Sequence, residues 1–180
     1  MRWLHREGRV GTVGKLWLLL ETLTRAAYRA MRWPARRSYY IGQESFRRVI
    51  QWDGYSCAPC SVVAILRHFG RCGSMQSVTA ALQTDVEGTE KARIAEYLRR
   101  RRFVVQTKNS MTLRELGGVL ARGGVVIAFL DGDHVAVVYG MDRDSVFVAD
   151  SSLLRGPVAG IPRRVFRRRW EDAGLVVWPP

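Results

Sequence analysis

The alternation of apolar and polar positions predicts helices in the first part of the chain and strands in the second. After Cys57, apolar side chains recur at helical spacing, and Pro59 occupies the first turn, where proline is tolerated. Gly70 marks the predicted end of this helix. An earlier apolar stripe predicts a helix over Lys15–Trp33, which Pro34 ends.

Three shorter helices are predicted between the central helix and the last strands. The first follows Ser74, and the second begins at Thr89 and ends in four arginines at residues 99–102. Thr112 caps the third helix, and Gly123-Gly124 closes it.

Apolar runs separated by turn signals dominate the rest of the chain and predict antiparallel hairpins. The predicted strands cover residues 103–105, 125–130, 134–139, 145–149 and 175–178, and a basic helical piece is predicted over Pro162–Trp170. Helices that precede strands in one chain of this size predict an α+β fold.

The composition is that of a globular protein, since 47% of the 180 residues are hydrophobic and 25% are charged. The formal net charge of +13 predicts an acidic partner, and charge alone leaves open nucleic acid, an anionic membrane surface or an acidic peptide. Three cysteines without framework spacing indicate a reducing compartment. We therefore expect a cytoplasmic protein.

The predicted Lys15–Trp33 helix is too charged to cross a membrane, because its uncharged apolar run covers only residues 16–20. The same run is too short for an ordinary secretory signal. Two interpretations stay open: a helix packed on the domain, or a basic amphipathic helix that binds a partner protein or lies peripherally on an anionic membrane. We predict a basic extension over residues 1–44 and a main domain over residues 45–180.

Cys57 stands at the predicted start of the central helix, where backbone N–H groups lack partners and the helix dipole is positive. This environment favours thiolate over thiol, so Cys57 is a candidate nucleophile. A buried structural cysteine is the alternative.

A nucleophilic thiol needs a base, and the base needs a third group that orients it. His5 lies in a basic tail, and His68 lies on the helix of Cys57, roughly 16 Å along its axis. His134 begins a predicted strand, Asp150 ends the next, and in an antiparallel pair such positions face each other. The topology therefore predicts that His134 and Asp150 lie together.

Two other cysteine chemistries stay open. Cys57, Cys60, His68 and Cys72 supply the ligand types of a zinc site, although the first three share one helix. Cys57 and Cys60 also have the spacing of a redox pair, although the sequence after them lacks a βαβ pattern.

Several motifs, taken together, resemble the papain-like cysteine peptidases that cut double-glycine leader peptides from bacteriocin precursors, the thirty-ninth family of cysteine peptidases. The resemblance runs from about residue 45 to residue 178. The matching segments are Cys57–Ser61, Ile65–Leu66, Phe69–Gly70, Thr84, Gly88–Thr89, His134–Gly140 and Val146–Asp150.

The resemblance implies a papain-like cysteine peptidase domain, with helices packed on an antiparallel sheet. It implies Cys57 as the nucleophile, His134 as the base and Asp150 as the group that orients the base. Gln51, six residues before Cys57, corresponds to the glutamine that would hold the oxyanion with the Cys57 backbone N–H. No cofactor is expected, and the implied substrate is a leader peptide or partner protein cut after small residues. Because the sequence has no Gly-x4-Gly-Lys-Ser/Thr loop, we expect a stand-alone peptidase.

Two positions depart from the family pattern. Ala58 replaces the usual glycine and adds a methyl group near the expected oxyanion site, and Ser151 replaces the proline that usually follows the aspartate. The alternative function is a non-catalytic peptide- or nucleic-acid-binding module on the same fold. For nucleic acid, the basic run Arg163–Arg169 with Phe166 and Trp170 is the candidate surface.

Overall fold

The computed structural model describes residues 40–43, 45–152 and 160–180. The predicted Lys15–Trp33 helix and the rest of the first 39 residues lie outside the described residues. Among the described residues, no helix combines the length and the apolar character that crossing a bilayer requires.

Five helices form in these ranges, and each matches a helix predicted from the sequence. They are α1 (Cys57–His68), α2 (Met75–Leu82), α3 (Lys91–Arg100), α4 (Leu113–Ala121) and α5 (Arg163–Arg169). The central helix α1 ends two residues before Gly70, which adopts a φ of +67° that suits glycine.

The strands of the described residues form one antiparallel sheet in the order β2-β7-β3-β4-β5-β6, and β1 pairs with the last residues of β4. Their bounds are β1 (Ile41–Gly42), β2 (Val104–Lys108), β3 (Val125–Leu130), β4 (His134–Met141), β5 (Ser145–Ala149), β6 (Ile161–Pro162) and β7 (Trp170–Trp178). The α+β prediction is therefore confirmed.

Side chains along the central strands alternate between two hydrophobic cores, one on each face of the sheet. On β4, Val135 and Val137 pack with α1 in one core, whereas Ala136 and Val138 pack with α4 in the other. Helices α2 and α3 join the first core and α5 joins the second. Because both faces are covered, β3 and β4 are wholly buried, which explains their continuous apolar runs.

Three strand predictions had wrong bounds, for reasons visible in the structure. β4 runs to Met141 rather than ending at residue 139, because its last two residues pair with β1. β7 begins at Trp170 rather than at residue 175, because exposed Glu171 and Asp172 interrupt its apolar pattern. β2 extends to Lys108 rather than ending at residue 105, because it is an edge strand with exposed polar side chains. The two-residue strands β1 and β6 were not predicted, since so short a segment has no periodicity.

Candidate active site

Helix α1 begins at Cys57 because the turn before it is closed by a side chain. The Asp53 Oδ1 atom accepts hydrogen bonds from the backbone N–H groups of Tyr55 at 3.0 Å and Ser56 at 2.7 Å. The Ser56 carbonyl then accepts the first helical bond, from the Cys60 N–H. Cys57 is thus the first helical residue, and its side chain is only 9% exposed.

The structure brings His134 and Asp150 together at one end of the sheet. His134 is the first residue of β4, and Asp150 follows the last residue of β5, its antiparallel neighbour. The distance from His134 Nε2 to Asp150 Oδ1 is 2.7 Å. Cys57 is near enough to the same imidazole to raise its pKa, so the three side chains form one cluster.

The ionisation of this cluster follows from its contacts. Burial acts to lower the pKa of His134, but hydrogen bonds and charge interactions with Asp150 and Cys57 outweigh burial and raise that pKa to about 9. Burial acts to raise the pKa of Asp150, but the hydrogen bond and charge of His134 hold it below its ordinary value. The favoured state at neutral pH is an imidazolium beside a carboxylate.

Asp150 is fully buried, and its two oxygens have different surroundings. Oδ1 accepts from the Ser152 N–H at 3.0 Å as well as from His134. Oδ2 has no hydrogen-bond partner among the described residues, but Arg169 Nη2 lies 3.9 Å away. That nitrogen is also 2.9 Å from Asp131 Oδ2, so Arg169 joins the turn before His134 to the far side of Asp150.

Gln51 lies beside the turn that precedes Cys57. Its Nε2 donates to the Asp53 carbonyl at 2.9 Å, and its Oε1 accepts from the Ser151 hydroxyl at 2.5 Å. Its backbone N–H donates to the Ser151 carbonyl at 3.0 Å. The carboxamide is therefore connected both to the turn before the thiol and to the residue after Asp150.

The metal and redox alternatives find no support in the described residues. No three His, Cys, Asp or Glu side chains of the described part come close enough to share a metal ion. Burial raises the pKa of Cys60 to about 12, against a weaker hydrogen bond from Ser56, so Cys60 is a poor source of thiolate. His68 lies instead 3.2 Å from the Gln43 side-chain oxygen and packs on Phe46.

The structure also locates Ala58, which departs from the family pattern, and the basic run Arg163–Arg169. The Ala58 side chain is buried in the core beneath α1. Arg164, Arg167 and Arg168 are exposed on α5. Phe166 and Trp170 pack inward, however, and are 0% and 5% exposed, so they have no free ring face on which a base could stack.

Sequence reasoning missed three residues that help to build the site around this cluster. The turn-forming Asp53 had a readable signal, because an aspartate followed by glycine often closes such turns. Arg169 is indistinguishable from its neighbours within a basic run. Ser151 was noted only as a departure, because its partner lies 100 residues away in sequence.

Solved structures of known proteins share this fold. A double glycine motif protease from an AMS/PCAT transporter, crystallised with its leader peptide, matches 77% of this chain and 95% of its own at 15% identity, with a TM-score of 0.67. The peptidase domain of Streptococcus ComA, a bi-functional ABC transporter, matches 76% and 100% at 19% identity and a TM-score of 0.66. A C39-like peptidase from Bacillus anthracis matches 78% and 98% at 14% identity and a TM-score of 0.63.

A family assignment comes from the sequence itself. No curated protein matches the chain significantly. The sequence model of the Peptidase C39 family matches residues 45–180, three quarters of the chain, and this confirms the resemblance inferred from the motifs. The chain therefore belongs to the Peptidase C39 family and is a cysteine peptidase.

Proposed function

We propose that this peptidase cleaves a leader peptide or partner protein after two small residues, with Cys57, His134 and Asp150 as its catalytic triad. The observation that carries the proposal is that one imidazole bonds a buried carboxylate at 2.7 Å and has its pKa raised by the thiol at the start of α1. Nucleophile, base and orienting group are the three parts that acyl transfer by a cysteine requires.

The reacting form of the site is a Cys57 thiolate beside a His134 imidazolium, since the thiolate and not the thiol is the nucleophile. The sulfur attacks the scissile carbonyl carbon, and a C–S bond forms. As the C–N bond breaks, His134 gives its proton to the leaving amine, which leaves a thioester on Cys57. Water then attacks the thioester, His134 accepts the proton of that water, and the carboxylic acid product departs as the thiolate returns.

Asp150 fixes the orientation of the imidazole. Its Oδ1 accepts from His134 Nε2 at 2.7 Å, which leaves Nδ1 as the ring nitrogen free to exchange a proton with Cys57. General acid–base catalysis of this kind contributes about 10²- to 10⁴-fold to the rate. The carboxylate contributes only if it stays ionised, and the contacts that lower its pKa keep it so.

The negative charge on the carbonyl oxygen would be stabilised by two donors. One is the Cys57 backbone N–H, which as the first N–H of α1 has no helical acceptor. The other is Gln51 Nε2, whose second hydrogen has no acceptor among the described residues. An oxyanion donor is worth about 10²- to 10³-fold in kcat in other enzymes.

The substrate class rests on three lines of support. The sequence resembles double-glycine leader peptidases of bacteriocin precursors, and one structure with this fold holds a leader peptide. A net charge of +13 suits an acidic leader. Contact of the Lys15–Trp33 helix with an anionic membrane or a partner protein stays a prediction, because that segment lies outside the described residues.

The test compares two cysteine variants on a peptide that carries a double-glycine leader end. Cys57→Ala removes the attacking atom, so we expect complete loss of cleavage with retained peptide binding. Cys72→Ala is the matched control, because Cys72 is an exposed free cysteine, and it should cleave like the wild type. Products are counted by mass spectrometry and binding is followed by fluorescence anisotropy. Cleavage that survives Cys57→Ala would refute the assignment.

A further inference from the structure

The Gln51 carboxamide is fixed at both of its ends. The Asp53 carbonyl can only accept a hydrogen bond, so the atom 2.9 Å from it must be the amide nitrogen. The opposite end is then Oε1, which accepts from the Ser151 hydroxyl at 2.5 Å. The Asp53 contact excludes the flipped amide, which would turn an oxygen acceptor toward a developing oxyanion, and the Ser151 contact fixes the position of Oε1.

Ser151 is itself held by its neighbours, independently of its hydroxyl group. Its carbonyl accepts from the Gln51 N–H at 3.0 Å. Arg48 Nη1 donates to the carbonyls of Asp150 at 3.0 Å and Ser152 at 3.2 Å, on either side of Ser151. The Ser151 side chain is 2% exposed. Removal of the hydroxyl alone would therefore leave the backbone of residues 150–152 held by these hydrogen bonds.

We propose that Ser151 is a positioning residue, whose hydroxyl holds the Gln51 carboxamide in the orientation that presents Nε2 to the oxyanion. The inference rests on the proposed function. One short segment then serves two parts of the site, because Asp150 orients His134 while the next residue orients Gln51. Since the Ser151 bond matters only through Gln51, its effect belongs to the transition state and not to substrate binding.

The test measures kcat and KM for four variants on the double-glycine peptide. Ser151→Ala should lower kcat by about 3- to 10-fold, the effect of one neutral hydrogen bond, with KM unchanged. Gln51→Ala should cost about 10²- to 10³-fold in kcat. The double variant should equal Gln51→Ala, because the hydroxyl then has nothing to orient. The matched control is Ser61→Ala, since Ser61 is equally buried and its hydroxyl has no partner among the described residues.

A second readout separates positioning from a structural effect. Alkylation of Cys57 by iodoacetamide forms no oxyanion, so Ser151→Ala should be labelled at the wild-type rate. Wild-type kcat in Ser151→Ala, a further loss in the Gln51→Ala background, or slower alkylation would each overturn the role of Ser151. A wild type that cleaves no peptide and is labelled equally at all three cysteines would instead remove the proposed function, and the role of Ser151 with it.

Discussion

The imidazole of His134 bonds the Asp150 carboxylate, and both Asp150 and Cys57 favour its protonated form. On the far side of the carboxylate, Arg169 adds a positive charge that also holds Asp150 ionised. Asp131, at the start of the turn before His134, anchors that arginine. The charges therefore alternate in sign from Asp131 through Arg169 and Asp150 to His134, which is the arrangement that lets a buried carboxylate stay charged.

The raised pKa of His134 predicts the alkaline limb of the pH–activity profile. Below a pKa of about 9 the imidazolium can protonate the leaving amine, and above it that proton is lost, so we expect kcat/KM to fall as pH rises through about 9. Asp150→Asn removes the charge that raises this pKa, so its alkaline limb should shift to lower pH.

Initial-rate measurements across the alkaline range check this prediction. Asp172→Asn is the control, because Asp172 is an exposed carboxylate, and its profile should match that of the wild type. An alkaline limb that stays in place in Asp150→Asn would mean that another group controls it.

At the scale of elements, α4 depends on a complete capping box. Thr112 Oγ1 accepts from the Glu115 N–H at 3.2 Å, and Glu115 Oε2 accepts from the Thr112 N–H at 2.7 Å. Backbone and side-chain hydrogen bonds from Thr112 lower the pKa of Glu115. The sequence predicted this cap at Thr112, because capping chemistry is local.

Thr112→Ala should lower the free energy of unfolding by about 1 kcal/mol, the usual cost of losing a threonine cap. Urea denaturation measures the change, and Thr107→Ala on an exposed strand position serves as the comparison. Since α4 packs on the face of the sheet opposite α1, kcat should not change. A drop in kcat, measured where the variant is still fully folded, would contradict this separation of the two faces.

The features that the sequence could predict depend on residues that lie close together along the chain. Helix α1 was predicted from its period and its stop, and the proximity of His134 and Asp150 from one hairpin. The place of β7 between β2 and β3 was not predictable, because the residue pattern of a strand does not indicate which strands it pairs with. The orientation of the Gln51 carboxamide depends on Ser151, a contact between distant parts of the chain that one sequence does not reveal.

At the scale of the whole molecule, the net charge of +13 acts over distances longer than any single contact. It should raise the rate of encounter with an acidic peptide, and salt should screen that effect. We expect kcat/KM for an acidic leader to fall several-fold between about 0.05 M and about 0.5 M NaCl. A neutral peptide with the same double-glycine end is the control and should lose little. Equal salt dependence of the two peptides would argue against electrostatic attraction of the substrate.

The central place of β7 has a consequence for synthesis on the ribosome. β3 emerges some forty residues before β7, and until Trp170–Trp178 follows it, one edge of β3 stays unpaired. Helix α1 packs on this same sheet and carries the thiol, so the nascent chain holds its nucleophile long before the scaffold that aligns it is complete. Proteolytic competence therefore arrives late in translation, and a ribosome that stalls before residue 170 releases a fragment without a working site.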